Sequence, residues 1–247
     1  PELAEAVDVD ADLEQEEVAA EAPRWQARLA PAPAHDPDRA DRPTLGDLAA
    51  YIYTSGTTGL PKAALVKHHR LFRAGAVWAG GVMRYREGDV LYNCLPLYHS
   101  NGLVVATCSV VIGRVTLALS RKFSRTRFFD WIVESRATVV AGNPTVINML
   151  STAPVDFDRA RVPWLRFMTS SSAPLLVQDW KSFEERYGVP IVQGYGSSET
   201  GWIAASSETA RKLGSVGRHS PTTGLPSSIR TVARCRRARS GSSSWAM

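Results

Sequence analysis

The stretch YIYTSGTTGLPKAA, from Tyr51 to Ala64, sets a short apolar run against hydroxyls, two glycines and a lysine. Residues Tyr51 to Thr54 read as a strand. Gly56 and Gly59 admit backbone conformations that side chains forbid. Backbone N–H groups and the hydroxyls of Thr54, Ser55, Thr57 and Thr58 then suit the oxygens of a phosphate. Lys62 adds a positive point charge within reach of it. The spacing departs from the G-x-x-x-x-G-K-[ST] loop, because Leu60 and Pro61 stand between Gly59 and Lys62. The competing reading is a Ser/Gly turn between a strand and a helix. Four hydroxyls, two glycines and a Pro-Lys pair after a buried strand favour the phosphate loop.

Outward from this loop, apolar runs alternate with amphipathic stretches. Strands are expected at AAYIYT, VLYNCL, RVTLAL, ATVVAG, LRFMTS and VPIVQG. Helices are expected around 68–82, 101–112, 124–135, 144–151 and 175–187. This alternation implies an α/β domain with partly parallel sheets flanked by helices. Residues 1–44 read as an acidic helical segment followed by a Pro- and Asp-rich linker, and apolar rhythm is lost after about Leu225.

Composition narrows the classes further. The 247 residues are 44% hydrophobic, enough for a sizeable core. The net charge of +5 is misleading: residues 1–42 carry twelve acids and four arginines, while Arg230 to Arg239 hold five arginines and no acid. Without that tail the net charge is zero, so the basic balance is poor support for a nucleic-acid partner. RCRRAR is short and has one aromatic nearby, Trp245, and no nucleic-acid partner is expected. Cys94, Cys108 and Cys235 form no metal or disulfide pattern, which suggests a reducing, cytoplasmic setting. The longest apolar run, Leu103 to Ile112, is too short to span a bilayer, and peripheral membrane contact stays open.

With these residues in view, YTSGTTGLPKA resembles the phosphate-loop signature of the adenylate-forming (AMP-binding) superfamily, which includes acyl-CoA synthetases, luciferases and peptide-synthetase adenylation domains. CLPLYHSNGL (94–103) is similar to the segment that follows the loop in acyl-CoA synthetases. GYGSSETG (194–201) is similar to the family's Y-G-x-[ST]-E segment. TSSSAPL (169–175) fits more loosely a segment that usually has Gly where this chain has Ser171. GSVGRHSPTTGLPSSIR (214–230) resembles the end of the family's large domain. The resemblance covers about 45–230 and implies a partial AMP-binding domain, an incomplete N-terminal domain of an adenylate-forming enzyme. KFSRTRFFDW points to the fatty-acid branch, and the lack of an Asp between Val90 and Asp130 weighs against an amino-acid substrate.

The resemblance implies a reaction in two halves. A carboxylate attacks the α-phosphate of ATP, pyrophosphate leaves and an acyl-adenylate forms; the thiol of coenzyme A then displaces AMP. Thr54, Ser55, Gly56, Thr57, Thr58, Gly59 and Lys62 are the expected cradle for the β- and γ-phosphates. Glu199 is the expected ligand for Mg2+, a hard cation that takes oxygen donors, with Ser198 beside it on phosphate or the substrate carboxylate. Tyr195, between Gly194 and Gly196, is expected against adenine, and a core tyrosine is the alternative. Ser172, Ala173 and Pro174 are expected to offer backbone to adenine and a wall to the acyl pocket, or to form a plain loop. His99 is expected near the reacting carboxylate, only slightly ahead of a structural role. Leu97, Tyr98, Leu103 and Val104 suit an acyl group or a core equally. Cys94 and Cys108 read as inert thiols, and Trp131, Trp164 and Trp180 as core residues.

After Arg230 no stretch resembles the family's ribose-binding Asp or its lysine-bearing small domain, so this chain is expected to be impaired by itself. Residues 231–247 are expected to be a disordered tail read in a shifted frame. Codons permitted by Val232 to Met247 join, one base over, into GPLPPGEVGELVVGD, which resembles family sequence at the expected place. Other readings stay open: an aryl- or bile-acid-type ligase, or a non-catalytic nucleotide-binding remnant.

Overall fold

Short β-rich runs, each followed by an amphipathic stretch, set the architecture. The computed structural model describes residues 42–54, 62–153 and 157–219. The acidic N-terminal segment, loop residues Ser55 to Pro61 and the basic tail lie outside these residues.

Strand β1 (Leu48–Thr54) pairs antiparallel with β2 (Lys62–Lys67), with Ile52 opposite Ala64 and Thr54 opposite Lys62. Side chains alternate across the pair. Ile52, Ala64 and Val66 are buried, while Tyr51, Tyr53 and Leu65 face out. The phosphate-loop segment therefore joins two strands of a hairpin, not a strand and a helix. No strand is legible at 62–67 from sequence, because Lys and Ala favour helix over strand.

The larger sheet contains β3 (Val90–Asn93), β4 (Thr116–Leu119), β5 (Val139–Ala141), β6 (Phe167–Ser170), β7 (Ile191–Ser197), β8 (Gly201–Ala205) and β9 (Arg218–His219). Their order is β4-β3-β5-β6-β7-β8-β9. The first five neighbours run parallel, and β8 and β9 join antiparallel. All residues of β5 and β6 are buried, as expected for strands covered on both faces. The six strands expected from sequence are present, and β8 and β9 are added at one edge.

The helices lie close to their expected places. Helix α1 (His68–Ala76) continues as a π-helical segment, Val77–Met83, and ends at Arg84 in the left-handed region. A second π-helical segment, Asn101–Thr107, leads into α2 (Cys108–Gly113). Helix α3 spans Phe128–Glu134. Helix α4 (Pro144–Ser151) is capped by Asn143, whose side chain accepts from Val146 N at 2.8 Å, and has Pro in its first turn. Helix α5 (Val177–Tyr187) buries Trp180, Phe183 and Tyr187 along one face and stops at Gly188 with φ 60°. Phe129 stacks on Phe157 at 4.0 Å and meets Tyr187 at 4.7 Å, joining α3 to α5. Trp180 is fully buried, whereas Trp131 and Trp164 are only partly buried against the core. Among the described residues no helix is long and apolar enough to cross a membrane.

The two ends of the parallel strands differ in chemistry. At the amino ends, buried Arg166 before β6 binds Asp89 before β3 at 2.6 Å and Glu208 after β8 at 2.7 Å. The guanidinium forks across two carboxylates and ties three strands together. At the carboxyl ends, the chain leaves β3, β6 and β7 into LPLYHSN, SSAP and the turn at Ser198–Glu199. Crevices outside strand carboxyl ends are the usual ligand sites of such sheets.

Candidate active site

Those carboxyl-end segments, with the β1–β2 hairpin and α1, enclose a cavity of about 270 Å3. Its walls divide by chemistry. Ile52, Val66, Ala74, Trp78, Val104 and Trp202 form an apolar region. Thr54, Arg70, His99, Ser172, Ser198 and Glu199 bring polar atoms to it.

The hairpin brings Thr54 and Lys62 together at the base of the loop, where the Thr54 hydroxyl donates to the Lys62 carbonyl at 3.3 Å. Thr54 lines the cavity, whereas exposed Lys62 is not among its lining residues. The turn between β7 and β8 is shaped locally. Ser197 Oγ lies 2.9 Å from Thr200 Oγ1 and accepts from the backbone N–H groups of Glu199 (3.3 Å) and Thr200 (3.1 Å). Ser198 Oγ donates across the cavity to Ser100 Oγ at 3.1 Å. Hydrogen bonding from Ser197 and from the backbone, and then the charge of Arg70, hold the Glu199 carboxyl below its ordinary value. Burial lowers Arg70, and the Glu199 charge opposes that shift.

His99 lines the cavity but is largely exposed, and its Nδ1 accepts from Asn101 N at 3.1 Å. Asn101 donates to the Gly142 carbonyl at 3.3 Å, while its side-chain oxygen and the hydroxyl of buried Ser171 have no partner. Both residues line the cavity, so two buried polar atoms there are available to a ligand or to water. Ser172 sits at φ 80°, in the left-handed region, at the rim. Ala173 and Pro174 are exposed beyond it and do not line the cavity.

The glycines of GYGSSETG have steric reasons. A Cβ on Gly194 would meet the Trp202 ring at 2.5 Å and Trp78 at 3.0 Å. One on Gly196 would meet the Gly201 carbonyl oxygen at 2.4 Å. Between them Tyr195 is 53% exposed, outside the cavity wall, which removes the core-tyrosine reading. Trp78 and Trp202 meet edge to face at 4.3 Å. Sequence reasoning missed Ile52, Val66, Arg70, Trp78 and Trp202 as cavity residues, because no local pattern separates a cavity wall from ordinary core.

Cys94 is buried, and burial pushes its thiol up to about 12. Cys108 is half-buried and also raised by burial. Neither is poised as a nucleophile. Among the described residues no three His, Cys, Asp or Glu cluster as a metal cage.

Comparison with known proteins agrees with this geometry. The AMP-binding enzyme family model matches residues 1–226. The chain is 41% identical over 170 residues to a medium/long-chain-fatty-acid–CoA ligase, FadD6, of Mycobacterium tuberculosis, covering 68% of this chain and 28% of that protein. It is 36% identical over 210 residues to long-chain fatty acid transport protein 1 of Mus musculus, covering 85% of this chain and 32% of that protein. The chain thus spans about a third of the length of these relatives. The crystal structure of ATP-bound MatB from Rhodopseudomonas palustris superposes with a TM-score of 0.69 at 27% identity, over 84% of this chain and 43% of that one. A family match over most of the chain establishes that this chain belongs to the AMP-binding enzyme family.

Proposed function

We propose that the protein to which this chain belongs activates a fatty acid with ATP, forming an acyl-adenylate, and passes the acyl group to coenzyme A. One observation carries this reading: Thr54 at the base of the phosphate loop and Ser198–Glu199 face the same cavity as an apolar wall. A phosphate cradle next to an apolar pocket suits a molecule that joins an alkyl chain to a reactive carboxylate. The names of the two relatives support a fatty acid over an aryl or bile acid.

In the first half-reaction the carboxylate oxygen bonds to the α-phosphorus and the bond to pyrophosphate breaks. In the second, the thiol sulfur of coenzyme A bonds to the acyl carbon and AMP departs. No protein nucleophile is needed; positioning and positive charge are. Thr54, the Ser55–Gly59 backbone and Lys62 hold the β- and γ-phosphates. His99 and Ser198 orient the carboxylate. Exposed Tyr195 offers its ring to adenine, with Ser172, Ala173 and Pro174 lending backbone nearby. Gly194 and Gly196 let the strand pass close to Trp202 and Gly201.

A magnesium ion fits the turn, because the Glu199 carboxylate offers it oxygen donors and is held ionised. Bound there, it would neutralise phosphate charge, with ATP and water completing its shell. Free Cys94 and Cys108 support a reducing, cytoplasmic setting. The name of the transport-protein relative supports peripheral contact with a membrane, where fatty acids partition.

The test is pyrophosphate exchange with a panel of carboxylates, alongside MgATP binding to the purified chain. Exchange supported by fatty acids and reduced in Glu199→Gln is the expected result. The absence of both, with no exchange for any acid and no MgATP binding, would overturn the reading.

A further inference from the structure

Arg70 is the third residue of α1, in the run HHRLF, and no motif singles it out. Its side chain leaves the helix toward the cavity. One guanidinium nitrogen, Nη1, donates to the Leu65 carbonyl in β2 at 3.4 Å. The other, Nη2, donates to the Ser198 carbonyl. Its Nε lies 3.5 Å from where a Cβ on Gly201 would stand, and Gly201 has φ 73°. The guanidinium thus bonds β2 and the turn that carries Glu199, and Gly201, which ends that turn, leaves it room.

This link answers a geometric need. Ser197 and Thr200 set the shape of the turn from within, but they do not set its distance from the phosphate-loop hairpin. Among the described residues the hairpin is a separate two-stranded sheet with no ladder to the seven-stranded one. Arg70 bonds the hairpin strand and the turn at once. Its hydrogen bonds go to carbonyls, and its charge reaches Glu199 through space. The carboxylate is held near the cavity without being consumed in a direct pair. A lysine has the same charge but lacks the planar fork that serves two carbonyls in different directions.

We propose that Arg70 is a positioning residue that holds the Ser198–Glu199 turn against the phosphate-loop hairpin, so that the metal-binding carboxylate and the phosphate cradle act on one nucleotide. This rests on the reading of Glu199 as the Mg2+ ligand given above.

The test is calorimetric ATP binding to the chain as Mg2+ is varied, in wild type, Glu199→Gln, Arg70→Lys and Arg70→Ala. Arg70→Lys keeps the charge. It should raise the Mg2+ concentration for half-maximal binding by about tenfold, the scale of one lost charge-assisted hydrogen bond, while ATP binding without metal changes by less than about twofold. Arg70→Ala should weaken both, and amide exchange at Ser197 to Gly201 should quicken in both variants. If Arg70→Lys keeps the wild-type metal dependence, or weakens metal-free and metal-dependent binding alike, the positioning role is wrong even if Arg70→Ala does not fold. If wild type has no metal-dependent binding, or Glu199→Gln matches it, the Glu199 reading fails first and the Arg70 proposal with it.

Discussion

Ser198 and Ser100 stand 98 positions apart in sequence, yet their hydroxyls meet at 3.1 Å across the cavity. The bond joins the turn after β7 to the segment after β3. Removing either hydroxyl should loosen the same contact. Ser198→Ala and Ser100→Ala should therefore be non-additive, with a coupling of about 0.5–1.5 kcal/mol in a double-mutant cycle on unfolding free energy. Additive effects would show that the contact contributes nothing.

Glu199 should stay ionised to lower pH than an ordinary glutamate. Its carboxyl is held below 4.5 by hydrogen bonding from Ser197 and the backbone, and then by Arg70. A depressed folded-state value means its contribution to stability is present above 4.5 and is lost as pH falls through the lower folded value. Carboxyl-carbon NMR titration of the nucleotide-free protein should give a midpoint below 4.5, and Ser197→Ala should move it upward.

Gly194 and Gly80 offer a paired test of packing. Gly194→Ala drives a methyl group into the Trp202 and Trp78 rings and should destabilise by about 1–3 kcal/mol. At Gly80, in the π-helical extension of α1, nothing lies within 4 Å of an added Cβ. Gly80→Ala should be neutral or stabilise by up to about 1 kcal/mol. Denaturant midpoints at equal slope separate the two.

Ser172 bears a side chain at φ 80°, where glycine rests without strain. Ser172→Gly should relieve that strain, offset in part by the freer unfolded chain, for a net gain of up to about 1 kcal/mol. A loss of stability on thermal unfolding would mean that the hydroxyl makes a contact worth more than the strain.

The basic tail is expected to be a frame-shifted reading. The family match stops at residue 226, before Val232 where the alternate reading GPLPPGEVGELVVGD begins. Sequencing the gene should find codons that join into that peptide one base over. Codons that cannot be so joined would remove the idea.

Local order was legible in the residues themselves. A strand or helix follows from the period of apolar positions over a few residues, which is why VLYNCL, ATVVAG and LRFMTS stand in the sheet and Trp180, Phe183 and Tyr187 line one face of α5. The family was also legible, because the signatures YTSGTTGLPKA and GYGSSETG are compressed into adjacent positions. What sequence does not display is distance between segments. KAALVK becomes β2 because β1 supplies its hydrogen bonds, overriding the helical preference of Lys and Ala. Trp202 and Trp78 become a cavity wall only because β8 turns back beside β7 under the extension of α1. Arg70 reaches Ser198 across 128 positions, so its partner is set by the packing of a helix against a turn. Periodicity and motif chemistry are local and travel with the chain; the company a side chain keeps is decided only when the core closes.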